Sequence, residues 1–126
     1  MEMRSHLGRI RGLGSNNDGV GQWKLQRLTG VALVPLTIWF IYSAITLAGA
    51  DLAQFKTWVG AHGNPVLLIL LIYTMFQHAQ LGIQEVVEDY IHTESTKLAL
   101  IILVKFTAVI FGGYSIFAVL RLTFGG

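Results

Sequence analysis

A chain of 126 residues with 53% hydrophobic and only 13% charged residues is sized for one domain, and it carries too little charge to cover a soluble surface, which usually takes about a quarter charged residues. Lipid is therefore the expected solvent for much of it. Net charge is +2 and there is no cysteine, which excludes disulfides and Cys-ligated zinc or iron–sulfur centres within this chain.

Residues 1–22 read as a polar, basic tail. It holds Arg4, Arg9 and Arg11, with Lys24 and Arg27 following before the first apolar run. A short basic stretch that feeds straight into a hydrophobic segment points to membrane topology, not to nucleic acid. The leader is too long and polar for a signal peptide, and no small-residue cleavage site follows a short apolar core.

Residues 23–126 read as one membrane domain of three spans, at about 28–50, 65–90 and 97–122. The first run, LTGVALVPLTIWFIYSAITLAGA, begins at Leu28 and ends before Asp51. Pro35 inside it is expected to kink the helix, which membrane helices tolerate. The second, PVLLILLIYTMFQHAQLGIQEVV, follows the turn Gly60–Pro65, with Pro65 at the helix start. The third, LALIILVKFTAVIFGGYSIFAVLRL, follows a polar break at Thr93–Thr96, where Ser95 or Thr96 is the expected cap. About 20 helical residues cross a bilayer core, and three segments are far too few for a barrel. The fold class is thus an all-α membrane protein with three transmembrane helices. Lys and Arg are concentrated in the tail and the second loop, against Lys56 and Arg121 on the other side. This predicts a cytoplasmic (or mitochondrial matrix) N-terminus and a periplasmic C-terminus. Trp23, Trp39, Tyr42, Trp58 and Tyr90 are expected as interfacial anchors. His6, His62 and His92 are expected to be solvated, and Gly112, Gly113 and Tyr114 to pack helices.

The stretch HAQLGIQEVVEDY, residues 78–90, carries the chemistry. An ionisable side chain in a span is costly and usually faces a cavity, cofactor or partner. His78 either hydrogen-bonds a neighbouring helix or ligates a haem iron, a common task of histidine. At about 100° per residue, His78, Gly82, Glu85 and Asp89 form one helical stripe. Gly82 serves either close helix packing or room for a flat macrocycle. Glu88 reads as a solvated helix end. Asp89 and Tyr90 place an acceptor and a donor beside the aqueous phase, as a quinone carbonyl head requires. From His78 to Tyr90 the helix rises roughly 18 Å, so one helix has room for a redox cofactor and the wall of a quinone pocket. Arg27 is either a positive-inside anchor or a cation for a haem propionate or quinone oxygen. Lys105 is too deep for an ordinary anchor and snorkels toward that same layer, to a propionate, a lipid phosphate or a partner's acid. There is no second intramembrane histidine, so a six-coordinate haem needs a ligand from a partner. No catalytic triad or nucleotide fingerprint is present.

WKLQRLTGVALVPL, residues 23–36, and the His-(x)₃-Gly-(x)₆-Asp-Tyr pattern on the second of three spans resemble the small D-type hydrophobic membrane anchor of succinate dehydrogenase (respiratory complex II). The resemblance covers nearly the whole chain from Trp23 onward. It implies a bacterial inner (cytoplasmic) membrane protein, or a mitochondrial inner-membrane one in a eukaryote. Its partners would be a cytochrome b-type anchor subunit, an iron–sulfur subunit and a flavoprotein subunit where succinate is oxidised. The two anchors would share haem b, one histidine from each, with ubiquinone as the electron acceptor near the cytoplasmic face. On this mapping His78 is the axial ligand, Tyr90 hydrogen-bonds the quinone and Asp89 supports that site. Arg27 falls near the propionates or the quinone; Gly82 and Lys105 are placed in that vicinity by their helix positions, and the resemblance assigns Lys105 no role. The chain would have no succinate chemistry of its own. Two alternatives stand beside this reading: a haem-free anchor of the same complex, with His78 as a packing residue, and a small transporter or proton-pathway subunit using His78, Glu85, Asp89 and Lys105 as a relay.

Overall fold

The computed structural model describes residues 15–125, with side chains from residue 20 onward; Arg4, His6, Arg9 and Arg11 lie outside the described residues. It is all helical. Helix α1 spans Ser15–Thr46, α2 Leu52–Val59, α3 Asn64–Tyr90 and α4 Glu94–Thr123. Helices α1 (from Val20), α3 and α4 are each long and apolar enough to cross a membrane. They do not close into a bundle. Helix α3 packs on both α1 and α4, while among the described residues the α1 and α4 backbones do not approach each other closely. The most apolar window of α3 is accordingly 28% buried, against 11% in α1 and 6% in α4.

Three boundaries differ from the sequence reading. Helix α1 starts well before Leu28 and runs on through Pro35. Gly19 and Gly21 weaken local helix propensity there, but Gln22 meets side chains of α3, and tertiary contact overrides propensity. At its other end α1 stops at Thr46, and Leu47–Gly49 turn, with Gly49 at φ +81°, a conformation that favours glycine. Helix α4 begins at Glu94 with Thr93 as N-cap residue and no side-chain cap, so neither Ser95 nor Thr96 caps it. The first turn carries instead a Lys97–Glu94 ion pair at 3.7 Å, an exposed contact of little energetic weight. Pro65 sits in the first turn of α3, where its missing N–H costs nothing.

Helix α2 is an element absent from the sequence reading. A capping box starts it: the Asp51 carboxylate accepts from Gln54 N–H at 2.8 Å, and the Gln54 side-chain oxygen accepts from Asp51 N–H at 2.9 Å. Each such cap contributes about 1 kcal/mol. Asn64 Nδ2 donates to Trp58 O at 2.7 Å and ties the end of α2 to the start of α3. Trp58 stacks on Trp39 of α1, with ring centroids 5.7 Å apart. These two tryptophans thus pack against each other while staying partly exposed. Val59, Leu68 and Val119 form the buried core at this end, flanked by Trp39, Trp58, Ile69, Ile72 and Leu122.

Gly112 is the point where α3 and α4 approach closely. A Cβ there would lie 3.5 Å from the Phe76 ring, in ordinary contact, so alanine fits and a larger side chain does not. Gly112→Ala is expected to leave stability nearly unchanged, and Gly112→Leu to cost about 1–3 kcal/mol, read as the melting temperature of the purified complex. Gly113 and Tyr114 do not pack within the chain as expected. A Cβ on Gly113 meets open space, and Tyr114 is exposed. Gly113 instead lines a shallow cleft between α4 and Tyr73, Phe76 and Gln77 of α3.

Candidate functional site

The site forms where α1 and α3 run antiparallel. Their register is fixed by two close approaches. A Cβ on Gly30 would lie 3.3 Å from Cε1 of His78, and one on Gly82 would lie 3.6 Å from the Gln26 side-chain nitrogen. Small residues at such crossings let helices approach. Here Gly30 admits the imidazole ring close to the α1 backbone, with little room for a side chain. Gly82 has ordinary room.

His78 Nδ1 lies 3.0 Å from the Thr29 hydroxyl. That hydroxyl is itself placed to donate to its own helix, 2.8 Å from Leu25 O and 3.0 Å from Gln26 O. Thr29 is 5% exposed, so the contact is shielded from solvent. Nε2 has no hydrogen-bond partner among the described residues. The ring forms part of a cleft of about 440 Å³, lined by Gln26, Arg27, Gly30, Val31, Val34 and His78. Gln26 Oε1 is buried beside it without a hydrogen-bond partner, an uncommon state for a buried acceptor. The Arg27 guanidinium lies 5.5 Å from the centre of the Trp23 ring, a cation–π distance. With α1 beginning at Ser15, Arg27 stands more than three turns into the helix, not at its start. It is thereby brought to the height of Gly82, about one turn from His78.

Beyond His78 the interface becomes a glutamine ladder. Gln80 Nε2 donates to Gln84 Oε1 at 2.8 Å. Gln84 Nε2 reaches Glu88 at 3.4 Å and Gln22 at 3.5 Å, and Gln22 Nε2 reaches Glu88 at 3.5 Å. Glu88 is exposed near the end of α3, as its reading as a solvated helix end has it, and these contacts are long ones at the solvent edge. The face of α3 that meets α1 continues from Gly82 through Gln84 and Glu88, leaving Glu85 and Asp89 to one side of the contact. Sequence reasoning missed Gln22, Gln26, Thr29 and Gly30. The available signal was a Q-x-x-x-Q-x-x-T-G run on one face of the first helix.

The remaining site residues are separate from the cleft. Asp89 and Tyr90 occupy the last turn of α3 and are exposed, Tyr90 at 74%. The chain then returns through Ile91–Thr93 into α4. Glu85 is half-buried, and His62 and His92 are exposed. Lys105 is exposed on α4. The Phe76–Gly112 contact sets it near the height of Ile83, but across α3 from the cleft and not among its lining. From Pro65 to Ile72 helix α3 is entirely apolar, so the polar side chains gather at one end instead of tracing a path through the fold. No cluster of three His, Asp or Glu side chains able to hold a metal ion is found among the described residues.

The profile of one protein family, described as succinate dehydrogenase/fumarate reductase transmembrane subunit, matches residues 1–112. Among individual proteins, the succinate dehydrogenase hydrophobic membrane anchor subunit of Rickettsia conorii is 29% identical over 110 residues, covering 86% of this chain and 87% of that protein. The protein of the same name from Rickettsia prowazekii is 33% identical over 90 residues, covering 71% and 72%. The succinate dehydrogenase membrane anchor subunit of Reclinomonas americana is 23% identical over 96 residues, covering 73% and 79%. No solved structure gives a significant match.

Proposed function

Because the chain belongs to the succinate dehydrogenase/fumarate reductase transmembrane subunit family and is a multi-pass membrane anchor subunit of succinate dehydrogenase, we propose that it co-binds haem b and ubiquinone with a cytochrome b-type partner subunit. It docks the iron–sulfur and flavoprotein subunits on the side of the membrane that holds its N-terminus and the α3–α4 connection. That side is the cytoplasmic face of a bacterial inner membrane, or the matrix face in a mitochondrion.

The observation that carries this reading is the cleft at His78. It offers one wall of a haem site: an imidazole with Nε2 uncommitted, two valines as an apolar surface, and a guanidinium one turn away. The orphaned Gln26 oxygen marks the wall as incomplete without a further group. His78 would hold the haem iron together with a residue of the partner subunit. Arg27 balances propionate charge, for which a planar guanidinium fork is suited. When bound, the haem supplies one-electron chemistry. About 18 Å further along α3, the Tyr90 phenol donates to a quinone carbonyl oxygen and Asp89 accepts or relays a proton. Lys105, near the height of Ile83 on α4, snorkels toward this layer, to a lipid phosphate or a partner's acid.

One observation favours a second reading. The Thr29 contact alone satisfies one nitrogen of His78, so a haem-free anchor with a packing histidine has a structural basis. Pyridine haemochrome analysis of the purified complex decides between them: about one haem b per complex is expected, and none would establish the haem-free anchor. Gly30 sharpens the test. A valine there drives methyl groups into the ring, which already sits 3.3 Å from where a Cβ would be. Gly30→Val is expected to reduce haem content by about tenfold or more, while Gly82→Ala retains it.

A further inference from the structure

We propose that Thr29 is the positioning residue that fixes the tautomer and orientation of His78, so that Nδ1 carries the proton and Nε2 presents its lone pair to the cleft; this rests on the haem reading above.

The argument is a count of protons. A threonine hydroxyl has one hydrogen and two lone pairs. Thr29 Oγ1 sits 2.8 Å from Leu25 O and 3.0 Å from Gln26 O, and a carbonyl oxygen only accepts. We place the single hydroxyl hydrogen on its nearest acceptor, Leu25 O at 2.8 Å. The hydroxyl then turns lone pairs toward His78, 3.0 Å away, and the imidazole acts as the donor. Nδ1–H donates to Thr29, and Nε2 is left unprotonated.

The surroundings hold this arrangement in place. Thr29 is buried and its β-branched side chain has restricted χ1 freedom in a helix. Gly30, next in sequence, brings the α1 backbone close to the ring, so that a Cβ there would stand 3.3 Å from Cε1. His78 is thus gripped from the edge by a hydroxyl and from the side by backbone, before any partner subunit arrives. Metal-ligating histidines commonly donate their second N–H to an oxygen acceptor, which orients the ring and raises its basicity. A more basic imidazole stabilises the oxidised metal more than the reduced one.

The test compares Thr29→Val and Thr29→Ser in the intact complex by redox titration of its haem absorbance, with haem content measured alongside. Valine keeps the shape and removes the acceptor. It is expected to raise the haem midpoint potential by an amount equal to about a tenfold change in the ratio of ferric to ferrous binding, about 59 mV for one electron. Serine keeps the hydroxyl and is expected to titrate as the parent does. A Thr29→Val complex with unchanged potential and haem content would overturn the inference, as would a serine variant shifted as far as valine. Thr29→Ala provides the same reading if valine blocks assembly. Failure of both to assemble, where His78→Ala assembles, would make Thr29 a folding residue and also overturn it. The haem reading itself fails on a different result, retention of haem by His78→Ala.

Discussion

The His78→Ala complex is expected to assemble with its partner subunits and to lose its b-type haem spectrum. The ring projects from the middle of α3 into the α1 interface, where its hydrogen bond is to a threonine hydroxyl. That bond is a neutral one, and such bonds contribute about 1 kcal/mol net. The Thr29 hydroxyl keeps its backbone acceptors in the mutant, so no buried donor is orphaned. The apolar core at the α2 end, built on Val59, Leu68 and Val119, is remote from the change. Stability should fall modestly, and haem content should fall far more. Loss of an outer-shell partner alone costs about 10–100-fold in metal affinity, and removal of the ligand itself is expected to reach at least the upper end of that range. Haem content, the optical spectrum and succinate oxidation with an artificial acceptor are measured together. An unchanged spectrum would remove His78 from the ligand set. Loss of artificial-acceptor activity in parallel with haem would show that the complex had failed to assemble. His78→Gln is a stricter version, since its amide is able to hydrogen-bond Thr29 yet does not ligate iron as imidazole does.

The three spans are legible in the sequence because length and apolar content alone decide them. Helix α2 is not, because an eight-residue element between spans leaves no hydropathy signal. Its one local sign is Asp51 followed three positions later by Gln54, a pattern that gains meaning only once Trp58 and Val59 are seen to pack on Trp39, Leu68 and Val119. The early start of α1 is hidden for a different reason. Gly19 and Gly21 argue locally against helix, and the Gln22 contacts to Gln84 and Glu88 that support it come from more than 60 residues away.

The candidate site divides in the same way. His78 stands out in the sequence because an ionisable group in an apolar span is costly. Thr29 and Gly30 do not stand out, since small and hydroxyl residues are ordinary inside membrane helices. What singles them out is the antiparallel register that delivers them to the imidazole. Glu88 is exposed as its charge suggests, with only long contacts to two glutamines, and Lys105 stands exposed on α4, away from the cleft that His78 lines.

Tyr90→Phe is expected to lower succinate:quinone reductase activity by about tenfold to a hundredfold while leaving succinate oxidation by artificial acceptors intact. The asymmetry follows from where the phenol sits. Tyr90 ends α3, is 74% exposed, and its hydroxyl has no hydrogen-bond partner among the described residues. Removing that hydroxyl disturbs nothing inside the chain, so the stability change should stay within about 0.5 kcal/mol. Whatever activity is lost then reflects the hydroxyl's work outside this chain. A donor aimed at a quinone carbonyl gains strength as negative charge develops on the oxygen, so its loss is felt mainly in the rate of reduction. Artificial acceptors take electrons upstream of that site and serve as the internal control. Equal loss in both assays would place the effect on assembly, and no loss in either would take Tyr90 out of the quinone site. Loss confined to the quinone assay would separate the two ends of α3 by function, with His78 acting on the metal and Tyr90 on the acceptor.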